Sequence, residues 1–329
     1  MVIAALTSGH SIALAQPATP DMGTIDGVVR LATPGVVMEP TVVELVIDRA
    51  DSDEFESIEQ PVAADGSFAF EVEADPSISY YAVVRYGGIP YLSNQLLVSP
   101  EIPSASVDFE VYAASMVEPD LTIEATTVTL LAIDRQNAAL TLVREDLVRH
   151  DEPVIYVGDE SGTTLRIPVP DATFDAGGFD DAEAYVFEGG IISVGTALRP
   201  GVTSIVTRYT VRYEADEDEY RLRITAPLPA QHVEIRIPQR FLREVRPEGD
   251  EAVRGEDDEF EGEPLTVIER AAPAGPGQSL VADLLGLSGV ERASHPLTSG
   301  VGAAVGAILA LLVVAGVAVV LHRRVEPAR

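Results

Sequence analysis

The 329-residue chain contains no cysteine, no lysine and no tryptophan. Without cysteine there are no disulfides, thiol nucleophiles, thiolate-held zinc sites or iron–sulfur clusters, so stability has to come from packing. Without lysine, Schiff-base chemistry, lysine-dependent phosphate loops and Lys–Asn isopeptide cross-links are excluded. The missing indole removes the usual stacking platform for carbohydrate, a role left to tyrosine. Positive charge is scarce, with 22 arginines against 53 Asp and Glu and a net charge of −31. That balance excludes nucleic-acid binding through phosphate neutralisation. What is present is a 46% hydrophobic chain with 26 Gly and 23 Pro, a folded, turn-rich protein and not an acidic disordered polymer.

Histidine is almost as rare. Of five, His10, His295 and His322 lie near the ends of the chain, leaving His150 and His232 as possible general bases in the body. Neither belongs to HExxH, and no GxSxG elbow, phosphate loop or dinucleotide fingerprint occurs. The chain is therefore expected not to be an enzyme.

Before residue 300 the hydrophobic pattern has period two. Strands are expected at Thr24 to Leu31, Thr41 to Ile47, Ser67 to Val72, Tyr80 to Tyr86, Gln95 to Val98 and Val107 to Tyr112. In Ser67-Phe68-Ala69-Phe70-Glu71-Val72 the large apolar residues share one face, after a tight-turn signal at Asp65-Gly66; Phe109 and Val111 alternate likewise. Further runs follow from Leu121 to Ile133, Leu140 to Val143, Thr164 to Val169, Thr203 to Tyr213, Tyr220 to Thr225, His232 to Ile237, Leu265 to Glu269 and Ser279 to Leu284. The acidic stretch Glu214 to Glu219 reads as the loop of a hairpin joining the two strands around it. Glu248 to Glu263, with nine carboxylates and one arginine, reads as a long loop inside the second domain.

Gly27-Val28-Val29, then Ala64-Asp65-Gly66-Ser67-Phe68-Ala69-Phe70, then Tyr80-Tyr81-Ala82-Val83-Val84-Arg85-Tyr86 resemble the carboxypeptidase regulatory-like domain, a transthyretin-like β-sandwich. The resemblance covers Thr24 to Ala114 and implies a non-catalytic accessory module. Tyr86-Gly87-Gly88-Ile89-Pro90-Tyr91 stands where that family has a Gly-Tyr pair, and with Leu198-Arg199-Pro200-Gly201 it resembles a membrane-anchored bacterial variant of uncharacterised function.

From Val301 to Leu321 the chain runs twenty-one residues without a charge. As a helix this is about 31 Å long, matching a hydrocarbon core of about 30 Å. His322-Arg323-Arg324 after it orients the C-terminus to the cytoplasm. Gly302 and Gly306 form a GxxxG pair for helix packing and a homodimer. Ala13-Leu14-Ala15 before Gln16 fits a signal cleavage site.

The expected architecture is all-β: two antiparallel β-sandwich domains, transthyretin-like or Ig-like, and one C-terminal transmembrane helix. Its parts are a leader (1–20), a regulatory-like sandwich (21–115), a second sandwich with an acidic loop (116–287), a linker (288–298), the membrane helix (299–321) and a cytoplasmic tail (322–329). Calcium is the one cofactor weighed, through Asp48, Asp51 and Asp53 in one loop and Asp216 and Asp218 in another, since hard carboxylate oxygens converging from loops are what that ion needs. Tyr80, Tyr81, Arg85, Tyr86 and Tyr91 form an aromatic–arginine cluster of the kind that anchors interfaces. The expected function is that of a single-pass envelope protein in the cytoplasmic membrane, displaying its sandwiches outside as scaffold, accessory subunit or interaction module for an envelope protein partner. The alternative is an extracytoplasmic module binding carbohydrate, peptide or Ca²⁺.

Overall fold

A computed structural model describes residues 21–50, 52, 54–179, 184–260 and 262–288. The leader, the linker beyond Ser288, the apolar run with Gly302 and Gly306, and the tail lie outside the described residues, as do Asp51 and Asp53. Among the described residues every regular element is a strand, and no helix is long and apolar enough to cross a membrane. The chain divides into two compact units that meet at Ala113/Ala114.

The first unit holds β1 (Met22–Leu31), β2 (Val42–Arg49), β3 (Glu56–Pro61), β4 (Ser67–Glu73), β5 (Ile78–Tyr86), β6 (Ile89–Leu92), β7 (Ser104–Ser106) and β8 (Phe109–Val111). One sheet has the order β4-β1-β7, with β8 also on β1, and the other β3-β2-β5-β6. Alternation decides the buried faces: Phe68, Phe70 and Val72 of β4 and Ile25 and Val29 of β1 are buried, as are Val43 and Leu45 of β2 and Tyr80, Ala82 and Val84 of β5. Phe68 packs edge-on to Phe70, with centroids 6.1 Å apart, and lies 6.2 Å from Phe109. Gly66, at φ +88°, closes the turn before β4 with its N–H on the Ala63 carbonyl. Gln95 to Val98 is not a strand; only Leu96 forms a bridge, to Tyr80.

The second unit holds β9 (Ala114–Ser115), β10 (Thr122–Asp134), β11 (Ala139–His150), β12 (Ile155–Tyr156), β13 (Leu165–Pro168), β14 (Thr173–Gly178), β15 (Tyr185–Glu188), β16 (Ile191–Val194), β17 (Gly201–Arg212), β18 (Glu219–Thr225), β19 (Ala230–Pro238), β20 (Glu244–Pro247), β21 (Ala252–Arg254), β22 (Asp258–Phe260), β23 (Glu263–Arg270) and β24 (Ser279–Leu285). A large sheet has the order β14-β17-β11-β10-β19-β23-β21, with β22 also on β23, and two three-stranded sheets run β13-β16-β15 and β18-β24-β20. Ile123, Leu130, Leu142, Tyr209, Val233, Ile235 and Ile268 share one face of the large sheet and join Ile167, Val194, Leu222, Leu280 and Leu284 of the small sheets in a single core. Both small sheets therefore cover the same face of the large one.

Two expectations are corrected. The pairing is not antiparallel throughout: the β4-β1-β7 sheet and the large sheet are mixed, through the parallel pairs β1–β7, β1–β8 and β10–β19, and β9–β12 is parallel; each pair is far apart in sequence, which leaves chain enough to cross over. Thr203 to Tyr213 and Tyr220 to Thr225 do not form a hairpin. β17 pairs with β11 and β14, while β18 pairs with β24, so the acidic stretch between them carries the chain from one layer to the other.

Candidate functional site

β11 continues well past the expected end at Val143, and its core-facing row reads Leu140, Leu142, Arg144, Asp146, Val148 and His150. Period-two geometry thus carries an arginine and an aspartate into the core. Their side chains are 1% and 0% exposed. Arg144 Nε donates to Asp146 Oδ2 at 2.7 Å and Nη2 to Oδ1 at 2.9 Å, a bidentate pair. Thr126 Oγ1, on the neighbouring β10, donates to Asp146 Oδ1 at 2.6 Å. The remaining guanidinium nitrogen, Nη1, donates to Thr225 O at 3.1 Å and reaches Pro168 O at 3.5 Å.

Those two carbonyls lie at the C-terminal ends of β18 and β13, one on each small sheet, and the local sequence explains the gap between them. The Val169 N–H faces β16, bonding Gly190 O, so Pro168 and Pro170 turn to the opposite edge, where proline has no N–H to offer. On the other side Ala226 exchanges bonds with the β24 side through Gln278 O and Gly277 N, which turns the Thr225 carbonyl outward. Proline thus splits the covering layer, and Arg144 from the opposite sheet supplies the missing donors. Tyr220 OH closes the seam further along by donating to Asp171 O at 3.2 Å.

A second buried guanidinium does similar work at the far edge. Arg270, 4% exposed at its side chain, donates to Ala272 O, Ser279 O and Gln278 Oε1, each at 3.1 Å, and pairs with Glu251.

The two body histidines do not converge. His150 is buried on the core face, its Nε2 3.2 Å from Leu198 O. His232 lies on the opposite face of the same sheet, 3.1 Å from Glu234 Oε2, with Arg236 Nε 2.7 Å from Glu234 Oε1.

The tyrosine cluster is corrected from an interface to mostly core. Tyr80, Tyr86 and Tyr91 are 1%, 6% and 6% exposed. Tyr80 OH donates to Glu73 O at 2.7 Å, and Tyr91 OH accepts from Tyr112 N at 3.0 Å. Burial takes these rings out of reach of a partner because they sit on the inward parity of β5 and β6. Only Tyr81 and Arg85 take the outward parity, with Arg85 Nη1 2.7 Å from Glu44 Oε2 beside a cavity of about 320 Å³.

Of the calcium candidates, Asp48 sits within β2 opposite Ser79 and Asp216 is an exposed turn residue. Asp218 is committed to Arg243 Nη2 at 2.8 Å and to the Ser288 N–H and hydroxyl, which hold its carboxyl below the usual range. Among the described residues no three His, Asp or Glu side chains come together to hold a metal ion.

Fold and site together define an all-β protein with a charge-neutral polar cluster locked in the core of its second unit. No protein-family model and no curated protein matches the chain. Among solved structures it is similar to an M1 zinc metallopeptidase from Deinococcus radiodurans, at 12% identity and TM-score 0.31 over 52% of this chain. The chain spans less than half of that one, 43% of its length. It is also similar to the full-length major pilin SpaD from Corynebacterium diphtheriae, at 10% identity and TM-score 0.22 over 79% of this chain and 81% of that one. At these values the likeness assigns neither a family nor an activity.

Proposed function

We propose that the chain is a non-catalytic, single-pass envelope protein whose extracytoplasmic β-sandwich units form an interaction module for a protein partner, as scaffold or accessory subunit. In this reading the first unit is a transthyretin-like sandwich of the carboxypeptidase regulatory-like kind, the leader is a secretory signal, and Val301 to Leu321 is the membrane anchor. The observation that carries the proposal is the outward face of β2, β5 and β6. A solvated sheet face is ordinarily polar, yet here Val42 and Leu92 are 42% and 67% exposed, beside Arg85 and the cavity next to it. Exposed apolar area rimmed by charge is what protein contacts use.

The test is purification of the full-length protein from gently solubilised membranes, with mass spectrometry of what accompanies it. A stoichiometric envelope protein that is lost from a Val42→Asp, Leu92→Asp variant supports the proposal. Recovery of the protein alone, or a partner indifferent to that variant, overturns it. Amine-reactive cross-linkers are unsuitable, because the chain has no lysine.

A further inference from the structure

We propose that the core of the second unit contains an internal water-binding site beneath the seam, formed by the hydroxyls of Thr207 and Tyr209 and the free N–H of Arg144 Nη2. Thr207 and Tyr209 follow one another on the inward row of β17, and both are 0% exposed. Neither hydroxyl has a hydrogen-bond partner among the described residues. Buried hydroxyls are seldom left unbonded, because water-bonding capacity given up on folding has to be replaced.

The neighbours select the ligand. Thr207 is the direct register partner of Arg144, and Tyr209 that of Leu142, one step along the same face. Burial raises the tyrosine hydroxyl's pKa, and both Arg144 and Asp146 act on it electrostatically, so the phenol shares this stretch of core with the ion pair. A guanidinium has five N–H groups. The bonds to Asp146, Thr225 and Pro168 use four, one from Nε, one from Nη2 and two from Nη1. The second N–H of Nη2 remains. Three polar groups meet the two to four partners that an internal water needs. Arg144 and Asp146 cancel, so a cation or an anion entering there would find no net countercharge to offset its desolvation. A neutral molecule that both donates and accepts satisfies all three groups.

Oxygen-17 magnetic relaxation dispersion on the full-length protein in detergent, which counts long-lived internal waters, tests the site. Tyr209→Phe and Thr207→Val each delete one hydroxyl while keeping the side-chain shape. We expect either variant to lose the amplitude of one long-lived water, with the melting midpoint lower by about 2–4 °C. An amplitude unchanged from wild type in a variant that keeps its strand circular dichroism overturns the site, whatever happens to the midpoint. A raised midpoint points the same way, since removing an unbonded hydroxyl relieves its burial. If neither variant folds, the wild type and Thr207→Ser, which keeps the hydroxyl, decide: no long-lived water component in the wild type, or its loss in Thr207→Ser, overturns the proposal, and its presence in both supports it.

Discussion

Arg144 and Asp146 stand two residues apart on one strand, point the same way into the core, and close a bidentate ion pair that is 1% and 0% exposed. A pair so deep adds little net stability over an apolar pair of the same shape, but losing one member strands a charge. Arg144→Met alone should destabilise the second unit by about 3–5 kcal/mol, and Asp146→Leu by a similar amount. The double variant should lose far less than the sum of the two. Chemical denaturation followed by circular dichroism checks this; additive losses would mean that the two side chains are not coupled.

The seam also predicts an effect of proline. Pro168→Ala restores an N–H on the edge of β13 that faces β18, and Arg144 then has a competitor for the carbonyls there. Hydrogen exchange at residue 168 of the variant should find the new amide protected, as the Val169 amide already is by its bond to Gly190 O. Rapid exchange there would mean that the edges stay apart for reasons other than the missing donor.

Acid should weaken the fold through several exposed aspartates. Hydrogen bonds from Ser161 and Arg166 hold Asp159 well below the usual carboxylate range, and Ser67, Ser77 and Asn137 do the same for Asp65, Asp75 and Asp134. A folded-state pKa below the unfolded one gives stability that is present above the unfolded value, about 3.9, and lost as pH falls through the folded value. Melting midpoints should therefore hold between pH 5 and 7, taken as roughly the range above those pKa values, and drop below about pH 4. Asp159→Asn should shrink that drop.

The alkaline side runs the other way. Hydrogen bonding to the Glu110 carboxylate pushes Tyr112 up to about 12, and burial pushes Tyr220 up to about 12. A raised tyrosine pKa gives stability fully present below about pH 10, the unfolded value, and lost as pH rises through the folded value. Absorbance titration should find Tyr112 and Tyr220 among the tyrosines that ionise late, with the buried Tyr209 later still, all returning to ordinary behaviour in denaturant. Glu110→Gln should move Tyr112 alone.

Gly27 is the tightest point of the first unit. A methyl group there would fall on the Val107 carbonyl and 2.7 Å from the Phe68 ring, because the link between β7 and β8 runs against β1 there, with Val107 N–H on Asp26 O. Gly27→Ala should cost about 1–3 kcal/mol or more by overpacking, read as a lower melting midpoint. No loss would mean that the 107–109 segment is free to move aside.

Much of this was legible in the sequence. Phe68, Phe70 and Val72, and Phe109 and Val111, could be assigned inward from alternation alone, since a strand's side chains must take opposite faces in turn. The all-β class followed from the same rule, with turn residues between the runs. β11 was legible only in part: its even positions continue the inward row through Arg144 and Asp146, but charge at those positions looks like the end of a strand until a partner is known. The tyrosines failed for the converse reason, because their parity within β5 and β6 turned them inward although their chemistry suits a surface.

Local pattern fixes which face a residue takes, because that is decided by neighbours along the chain. Which strands meet is decided by contacts between residues far apart, and only the tertiary structure placed β17 and β18 in different layers, set β10 beside β19 in parallel, and brought Pro168 and Thr225 to the same guanidinium. Sequence by itself determined the absence of thiol and lysine chemistry, the acidic balance and the strand-forming rows. The packing of one sheet against two decided that an ion pair, and not apolar side chains, fills the seam, because carbonyls left without proline donors had to find an N–H from across the core.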